Sequence, residues 1–335
     1  MMEKGIEIKI AKSEEEFKLF WQLHNEYMNR DIFPNDEIGL KMTEEEQEWF
    51  SSSEYKEHMH KLFSRNVDTA YPIFFIKEKE IIGFCTYCTY HSEDGKCFII
   101  DYCIIPEFRD NGLGTKIFNI IKEMEVSKGA KYLELNVSNK KNMKFWMKRG
   151  FRFDGIDDYG VIRLTTKRNS TYLIDIDESN WTKLITLELS EDQKAHVASP
   201  MGILARAYVY RNYNGRVFGI ESEENIIGML MIRDINEEPK CYELQQFLID
   251  SRYQNRGYGY KSLKLILDYL YVERRYENVE VCVRKKYIKA INLYKKIGFK
   301  DTGYTDPNVE DAFNLVFSFN DLDNKVQSNR EFVMG

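Results

Sequence analysis

Two short glycine-containing segments carry the residue types most able to do chemistry in this chain. Each lies between a strand-like apolar run and an amphipathic helix, and their residues are Arg109, Asp110, Asn111, Gly112, Leu113 and Gly114, then Gln254, Asn255, Arg256, Gly257, Tyr258 and Gly259. We call them the first and second cradles. Glycines let backbone N–H groups crowd around an anion, and the start of a helix adds unpaired donors and a positive dipole end. The pattern therefore predicts a diphosphate ligand, with a site in each half.

The cradles belong to a longer internal repeat. Two Ile-Ile-Gly motifs, ending at Gly83 and Gly228, lie 145 positions apart, which is also the offset between the cradles. Two Gly-Phe pairs, ending at Phe151 and Phe299, lie 148 positions apart. A period this long indicates two whole domains and not a solenoid.

Bulk composition restricts the classes of partner. The 335 residues are 43% hydrophobic, enough for two cores of ordinary domain size, and the net charge is −6. This acidic balance disfavours a nucleic-acid surface and suits a cationic substrate. The sequence contains no apolar run of about 18 residues and no signal-peptide core at its start, so we expect a cytoplasmic protein without a membrane partner.

Cysteine and histidine spacings argue against a metal site. Cys85 and Cys88 lie in a strand-like run, where an odd separation places side chains on opposite faces. His58 and His60 are two positions apart in a helical region, where such residues do not face each other. We therefore predict no bound metal.

The coarse order of elements repeats in each half: strands, a cradle, a helix, a strand and another helix. Residues 165–171 are polar and lack an apolar period, so they predict a linker. The expected organisation is an N-terminal domain over 1–168, a C-terminal domain over 172–320 and a frayed polar tail over 321–335.

This order resembles the GNAT acyl-CoA N-acyltransferase superfamily in both halves. The resemblance rests on Arg/Gln-x-x-Gly-x-Gly between a strand and a helix, and on the closing Gly-Phe after a second helix. The second half also resembles bacterial spermine/spermidine acetyltransferases, through the segment 178–181 and the residues at 187, 193 and 197–200. The resemblance to the superfamily implies an α/β fold with two tandem GNAT-like domains, each a mixed, mostly antiparallel sheet flanked by helices.

The resemblance further implies acetyl-CoA as co-substrate. Its pantetheine would lie where the sheet opens between the fourth and fifth strands, with the pyrophosphate on the cradle and a primary amine as acceptor. Besides the two cradles, the residues that this places against the cofactor are Leu248, Ile249, Tyr260, Ile104, Ile105, Thr115 and Asn139. For Asn139, helix capping is an equally open interpretation.

The catalytic roles fall in the second half. In the superfamily a tyrosine five residues before the Phe of Gly-Phe commonly protonates the departing thiolate, and Tyr294 fills that place, whereas Trp146 replaces it in the first half. Histone-type members carry a glutamate eleven residues before the cradle; that count gives Glu243 in the second half and Phe98 in the first. The C-terminal domain is thus expected to be catalytic and the N-terminal one diverged.

Alternatives remain open for both domains. Asp101 or Tyr102 could supply a different acid or base in the first half. The main hypothesis is acetylation of a small cationic amine such as a polyamine, with Glu243 as base and Tyr294 as acid. The others are a tandem enzyme acting on a protein or peptide amine, and a protein in which one domain binds acyl-CoA without turnover and regulates its partner.

Overall fold

The structure is a computed structural model that describes residues 5–35, 41–168, 170–305, 307 and 309–334. The chain divides into two compact units, Met1–Lys167 with Arg330–Gly335, and Arg168–Asn329. We call them the N-terminal and C-terminal units. Each is built on one seven-stranded sheet flanked by helices, which confirms the predicted α/β class with two tandem mixed sheets.

The N-terminal unit contains seven strands and five α-helices in its described part. The strands are β1 (Ile6–Ile10), β2 (Ala70–Lys77), β3 (Glu80–Tyr90), β4 (Lys96–Ile104), β5 (Tyr132–Val137), β6 (Arg152–Ile156) and β7 (Ile162–Thr165). The helices are α1 (Glu14–Tyr27), α2 (Glu44–Ser51), α3 (Ser53–Phe63), α4 (Leu113–Ser127) and α5 (Lys140–Met147). A π-helical turn, Met28–Ile32, continues α1. The strand order is β1-β2-β3-β4-β5-β7-β6.

The C-terminal unit repeats this plan. Its strands are β8 (Thr171–Asp175), β9 (Arg216–Ser222), β10 (Asn225–Ile235), β11 (Cys241–Ile249), β12 (Asn278–Arg284), β13 (Lys300–Asp301) and β14 (Ala312–Ser318). The helices are α6 (Trp181–Leu184), α7 (Glu191–Lys194), α8 (Pro200–Val209), α9 (Tyr258–Glu273), α10 (Ile288–Ile297) and α11 (Phe319–Met334), of which the residues up to Asn329 belong to this unit. The strand order is β13-β14-β12-β11-β10-β9-β8.

The C-terminal segment differs from its prediction. Residues 321–334 do not fray but belong to α11, and residue 335 lies outside the described residues. The physical reason is burial, because Val326 is 2% exposed and Arg330 is 8% exposed. Polar composition alone suggested a tail, whereas a few buried positions on one helix are enough to hold it.

Each sheet contains one parallel pair, and that pair separates along its length. β4 pairs with β5 only from Lys96 to Ile99, and β11 pairs with β12 only at Tyr242 and Glu243. The neighbouring strand pairs are antiparallel. The second halves of β4 and β11 therefore leave a cleft beside the next strand, as predicted between the fourth and fifth strands of each domain.

The repeated Ile-Ile-Gly motifs bring the strands beside this cleft close together. A Cβ added at Gly83 would overlap the carbonyl oxygen of Cys103, and one at Gly228 would overlap the carbonyl oxygen of Leu248. Both glycines lie opposite the end of the strand that leads into a cradle. Glycine is thus required where β3 approaches β4 and where β10 approaches β11.

The two faces of each sheet are covered by different helices. On β4, Cys103 packs into a cluster with Phe20 of α1 and Tyr55 of α3. The preceding residue, Tyr102, points to the other face, where its hydroxyl donates to the carbonyl oxygen of Gly114 at 2.6 Å. In the described part of the chain, no helix is long and apolar enough to cross a membrane.

Candidate active site

The two cradles have the same backbone conformation. Asp110 and Asn255 have φ values of 63° and 60°, and Gly112 and Gly257 have φ values of 79° and 81°. Gly112 is the N-cap of α4 and Gly257 that of α9, so the first N–H groups of each helix lack intrahelical partners at the cradle. A Cβ added at either glycine would meet no described atom within 4 Å. Both cradles therefore present helix N-termini to open space, as an anion site requires.

The side chains that open the cradles brace the fold. Arg109 Nε donates to the carbonyl oxygen of Ile104 at 2.7 Å, and Gln254 Nε2 donates to that of Ile249 at 2.9 Å. Each carbonyl belongs to the last residue of the strand before the cradle. Although predicted to contact the cofactor, the side chains of Arg109 and Gln254 are thus turned back to the strand, and only their backbone remains for a ligand.

Two asparagines predicted at the cofactor cap helices instead. Asn111 Oδ1 accepts a hydrogen bond from the backbone N–H of Leu113 at 3.1 Å. Asn139 is the N-cap of α5, and its Oδ1 accepts from the backbone N–H of Asn142 at 2.8 Å. Of the two open interpretations of Asn139, capping is the one that the structure displays, although the residue also lines a cavity described below.

The remaining predicted cofactor residues fall into three groups by exposure. Those buried, which can offer only backbone groups, are Ile104, Leu113, Leu248 and Ile249; those with exposed side chains are Asp110, Asn255, Arg256 and Tyr260; and those in between are Ile105, Gly114, Thr115, Tyr258 and Gly259. The second cradle thus exposes a cation, Arg256, at the position of Asn111, and the first exposes an anion, Asp110, at the position of Asn255. These charges predict that a diphosphate would be attracted more strongly by the second cradle.

A basic side chain that the sequence did not point to lies beside each cradle helix. Arg149 donates to Thr115 Oγ1 and stacks on Phe145, with 3.3 Å from its Cζ to the ring centroid. In the C-terminal unit, Lys296 Nζ lies 5.1 Å from the ring centroid of Tyr260, the residue equivalent to Thr115. A positive charge beside the first turn of a helix adds to the attraction of that helix end for an anion.

A cavity of about 770 Å³ opens in the N-terminal unit. It lies where β4 and β5 part, and it extends from the first cradle past Asn139 and Trp146 to Tyr27, Tyr55 and Asp101. This volume is typical of small-molecule sites. The first cradle therefore opens into a cavity of ligand size in the unit that was expected to be diverged.

Glu243 lies at the point where β11 and β12 begin to separate. Its carboxylate forms an ion pair with Arg233 of β10, and its partner in the parallel register is Glu280 of β12. Burial raises the pKa of Glu280 above its ordinary 4.5, and the charge of Glu243 raises it further. The sequence analysis missed Glu280, whose signal was a lone carboxylate between Val279 and Val281 in an otherwise apolar strand.

Tyr294 is a buried residue of α10. It is 6% exposed and packs edge-on against Phe299, with 5.4 Å between the ring centroids. Burial raises the pKa of the Tyr294 phenol above its ordinary value of 10, so the hydroxyl keeps its proton at neutral pH. Its equivalent Trp146 lines the cleft of the N-terminal unit.

The two alternative residues of the first half have different environments. The Tyr102 hydroxyl is engaged by Gly114, as described above. Asp101 is buried in the cavity, and His24 Nε2 of α1 lies 3.7 Å from its Oδ1. His24 was not predicted; its signal was its place on the same helical stripe as Phe20 and Trp21, both of which are buried.

Potential metal ligands do not cluster in the residues that the structure describes. Within those ranges, no group of three or more His, Cys, Asp or Glu side chains is placed to hold a metal ion. Five of the six cysteines are buried, and Cys282 is exposed.

Comparisons with known proteins address the family. The sequence matches the Acetyltransferase (GNAT) family over residues 40–151 and again over residues 181–299. Spermine/spermidine N(1)-acetyltransferase of Bacillus subtilis (strain 168) is 27% identical over 140 residues, 40% of this chain and 91% of that protein. Spermidine N(1)-acetyltransferase of Escherichia coli (strain K12) is 30% identical over 88 residues, 26% of this chain and 47% of that protein.

Solved structures are similar to about half of the chain. PaiA N-acetyltransferase from Thermoplasma acidophilum, in complex with coenzyme A, has a TM-score of 0.37 and 18% identity, and the match covers 48% of this chain and 98% of that one. Spermidine N-acetyltransferase from Vibrio cholerae, in complex with CoA and spermine, has a TM-score of 0.37 and 17% identity, covering 45% and 97%.

The two family matches fall one in each half of the sequence, and together they span more than half of its length. The predictions of the family and of an acyltransferase enzyme are confirmed. The chain belongs to the acetyltransferase (GNAT) family, whose domain it carries twice.

Proposed function

We propose that this enzyme transfers the acetyl group of acetyl-CoA to a primary amine of a small cationic metabolite such as a polyamine, and that the C-terminal unit does so. The observation that carries the proposal is the cleft that opens beyond Glu243 between β11 and β12 and leads to the second cradle. The similarity to polyamine acetyltransferases supports the class of acceptor. The net charge of −6 agrees with a cationic substrate.

The donor would be held mainly by backbone groups. The diphosphate lies on the N-terminus of α9, with Arg256 and Lys296 as nearby positive charges, and the pantetheine takes the place of a strand along the open edge of β11. Main-chain N–H groups on that edge have no strand partner after Glu243, so they can bind the thioester oxygen as negative charge develops on it.

Glu243 is the proposed general base. An arriving ammonium group competes with Arg233 for the carboxylate, and Glu280 beside it adds negative potential that favours a cation there. Once the amine has given up a proton, its nitrogen attacks the acetyl carbon. The position of Glu243 at the start of the cleft suits this role, because the amine must approach the thioester from the face of β11 on which Glu243 pairs with Arg233.

Tyr294 is the proposed general acid. The nitrogen–carbon bond forms, the carbon–sulfur bond breaks, and the leaving thiolate takes a proton from the phenol, which the nitrogen's second proton then replaces through solvent. A phenol that burial keeps protonated is suited to donation, whereas the indole at Trp146 is not a usable acid.

Steady-state kinetics of Tyr294→Phe and Glu243→Gln in the full chain test this proposal. With acetyl-CoA and a panel of spermidine, spermine, 1,4-diaminobutane, amino acids and short peptides, each variant should lose about 10²- to 10⁴-fold in kcat, the usual effect of removing a general acid or base. Tyr276→Phe is the matched control, since Tyr276 precedes β12 at the end away from the cleft.

Two results would remove parts of the proposal. Unchanged turnover in Tyr294→Phe would exclude the phenol as the acid. Acetylation of peptides but of no small amine would support instead the alternative of a protein or peptide acceptor.

A further inference from the structure

Buried polar groups with unmet hydrogen-bonding capacity gather in the N-terminal unit. His24, Thr86 and Asp101 are 1%, 0% and 7% exposed. Both ring nitrogens of His24, Thr86 Oγ1 and Asp101 Oδ2 lack a hydrogen-bond partner among the described residues. Leaving such a group unpaired in the interior costs the free energy of its lost hydration. A folded protein that keeps several of them together holds them for a ligand or for bound water.

Asp101 connects this cluster to the cavity. It lines the inner end of the 770 Å³ space, beside Tyr27 and Tyr55, and the outer end of the same space reaches the first cradle. The equivalent residue of the C-terminal unit is Gln246, 145 positions later, whose Oε1 accepts from the backbone N–H of Ala198 at 2.9 Å. The C-terminal unit thus satisfies this position internally, whereas in the N-terminal unit the carboxylate at this position lines the cavity and its buried Oδ2 has no hydrogen-bond partner among the described residues.

The surroundings of Asp101 select a cation. Burial lowers the pKa of His24 below its ordinary 6.5, so the imidazole is neutral near pH 7, and burial raises the pKa of Asp101 above its ordinary 3.8, which makes this carboxylate a stronger base than an exposed one. Aromatic rings surround the pair, with 5.6 Å between the centroids of His24 and Tyr55 and 5.7 Å between those of Tyr27 and Phe84. An ammonium group fits both features, because it donates to the carboxylate and is attracted by aromatic faces.

The charges along the cavity have opposite signs at its two ends. Arg149 and the N-terminus of α4 lie at the outer end, where an anion is favoured. Arg109 and Asp110 also line that end; the charge of Arg109 is paired with Asp31, and the charge of Asp110 opposes part of the attraction of Arg149 for an anion. The carboxylate of Asp101 lies at the inner end. This polarity matches an acyl-CoA whose diphosphate occupies the cradle and whose thioester points toward an amine held at Asp101.

We infer that the N-terminal unit holds a second amine-acceptor site, in which Asp101 binds the ammonium group of a primary alkylamine, removes one proton and presents the amine to acetyl-CoA in the same cavity. His24 is a positioning residue, since it lies behind the carboxylate and can share the proton. The site is separate from the one proposed in the C-terminal unit, and neither depends on the other.

The reaction balances without a tyrosine at position 146. The ammonium gives its first proton to Asp101, from which it reaches solvent. The nitrogen then forms its bond to the acetyl carbon, the carbon–sulfur bond breaks, and the thiolate takes the second nitrogen proton. One ammonium and one acetyl-CoA thus give one acetamide, one CoA thiol and one released proton.

Calorimetric titration of the full chain tests binding. Butylamine and 1,4-diaminobutane are titrated into protein saturated with CoA, with butan-1-ol as the uncharged control. Asp101→Asn, and in parallel Asp101→Gln, which copies Gln246, should weaken amine binding at one site at least tenfold and leave CoA binding unchanged. Neither variant should lower the Tm, because each removes a buried charge that has an unsatisfied oxygen. Glu123→Gln, on the exposed face of α4, is the matched control.

Turnover distinguishes this site from the one in the C-terminal unit. The amine-dependent CoA release that remains in Tyr294→Phe, after the loss of about 10²- to 10⁴-fold expected for the C-terminal site, should fall at least a further tenfold when Asp101→Asn is added. His24→Gln should lower kcat with little change in the KM for amine, a split that a purely structural role does not produce.

The outcomes separate the two sites. One outcome is that Tyr294→Phe turns over amine as fast as the wild type, and that Asp101→Asn abolishes turnover in both proteins. This outcome would support the site at Asp101 and contradict the proposed role of Tyr294. The inference would be overturned if amine binding and residual turnover were unchanged in both Asp101 variants. It would also be overturned if amine bound at Asp101 but no turnover depended on that residue.

Discussion

Arg109 donates two hydrogen bonds to Asp31, from Nη1 to Oδ1 at 2.9 Å and from Nη2 to Oδ2 at 2.6 Å. The C-terminal unit makes the equivalent link with neutral groups, since Gln254 Nε2 donates to Gln193 Oε1 at 2.7 Å. In both units the residue that opens the cradle therefore links the end of a strand to a helical segment, Met28–Ile32 in the N-terminal unit and α7 in the C-terminal unit. Only the N-terminal unit makes that tie with charges.

The first prediction concerns this ion pair. Asp31→Asn should loosen the first cradle, because Arg109 would keep a charge in a half-buried place with a weaker partner. We expect a loss of local stability of about 1–3 kcal/mol, hence about 5- to 150-fold faster amide exchange in residues 104–116. Exchange measured by mass spectrometry in the full chain checks this. Glu123→Gln should exchange like the wild type, and equal rates in Asp31→Asn would contradict a bracing role.

The second prediction follows from the titration of Asp31. Burial alone would raise its pKa, but hydrogen bonds from Arg109 and Arg30 outweigh burial and hold the pKa below its ordinary 3.8. A carboxyl group with a lowered folded-state pKa stabilises the fold above its unfolded pKa, and this stabilisation disappears as the pH falls through the folded value. Exchange of residues 104–116 should therefore accelerate below about pH 4 more in the wild type than in Asp31→Asn. Parallel pH profiles in the two proteins would show that the pair does not respond to acid.

The repeat and the cradles could be predicted from sequence because they depend on local chemistry. Left-handed φ values at Gly112 and Gly257 require glycine, and the 145-residue offset is visible without a structure. The opening of the sheet came from the family resemblance, and the short parallel pairings bear it out.

The partners of the site residues could not be predicted in the same way. Arg109 and Asp31 are 78 positions apart in sequence, and they meet only when the turn after α1 packs on the sheet. The same holds for His24 and Asp101, on α1 and β4. Asp101 was a candidate from sequence, but no spacing marked His24 as its partner, so the pair became visible only through burial and unmet hydrogen bonds.

The third prediction concerns the cradle glycines. Gly257→Ala would meet no clash, but a left-handed φ of 81° costs an alanine about 1–2 kcal/mol, and the methyl group would occupy the anion's place. We expect CoA affinity at the second cradle to fall at least tenfold by calorimetric titration. Gly303→Ala is the matched control, since Gly303 has a φ of 71° and equally open space but lies after β13, away from both cradles. A similar loss in both variants would assign the effect to backbone strain.

The last prediction exchanges the charges of the two cradles. Asp110 and Asn255 hold equivalent positions with nearly the same left-handed φ, which both residue types tolerate, so each can be replaced by the other without added strain. Asp110→Asn removes a negative charge beside the expected diphosphate and should tighten CoA binding to the N-terminal unit about fivefold at low salt. Asn255→Asp should weaken binding to the C-terminal unit by a similar factor.

Both changes in CoA affinity should shrink as the ionic strength rises, because screening shortens the range of the interaction to about 8–10 Å. Two-site calorimetric titrations of the full chain at two salt concentrations check the prediction. Opposite signs for the two substitutions would indicate that CoA lies on the cradles, whereas no effect of either would place its phosphates elsewhere.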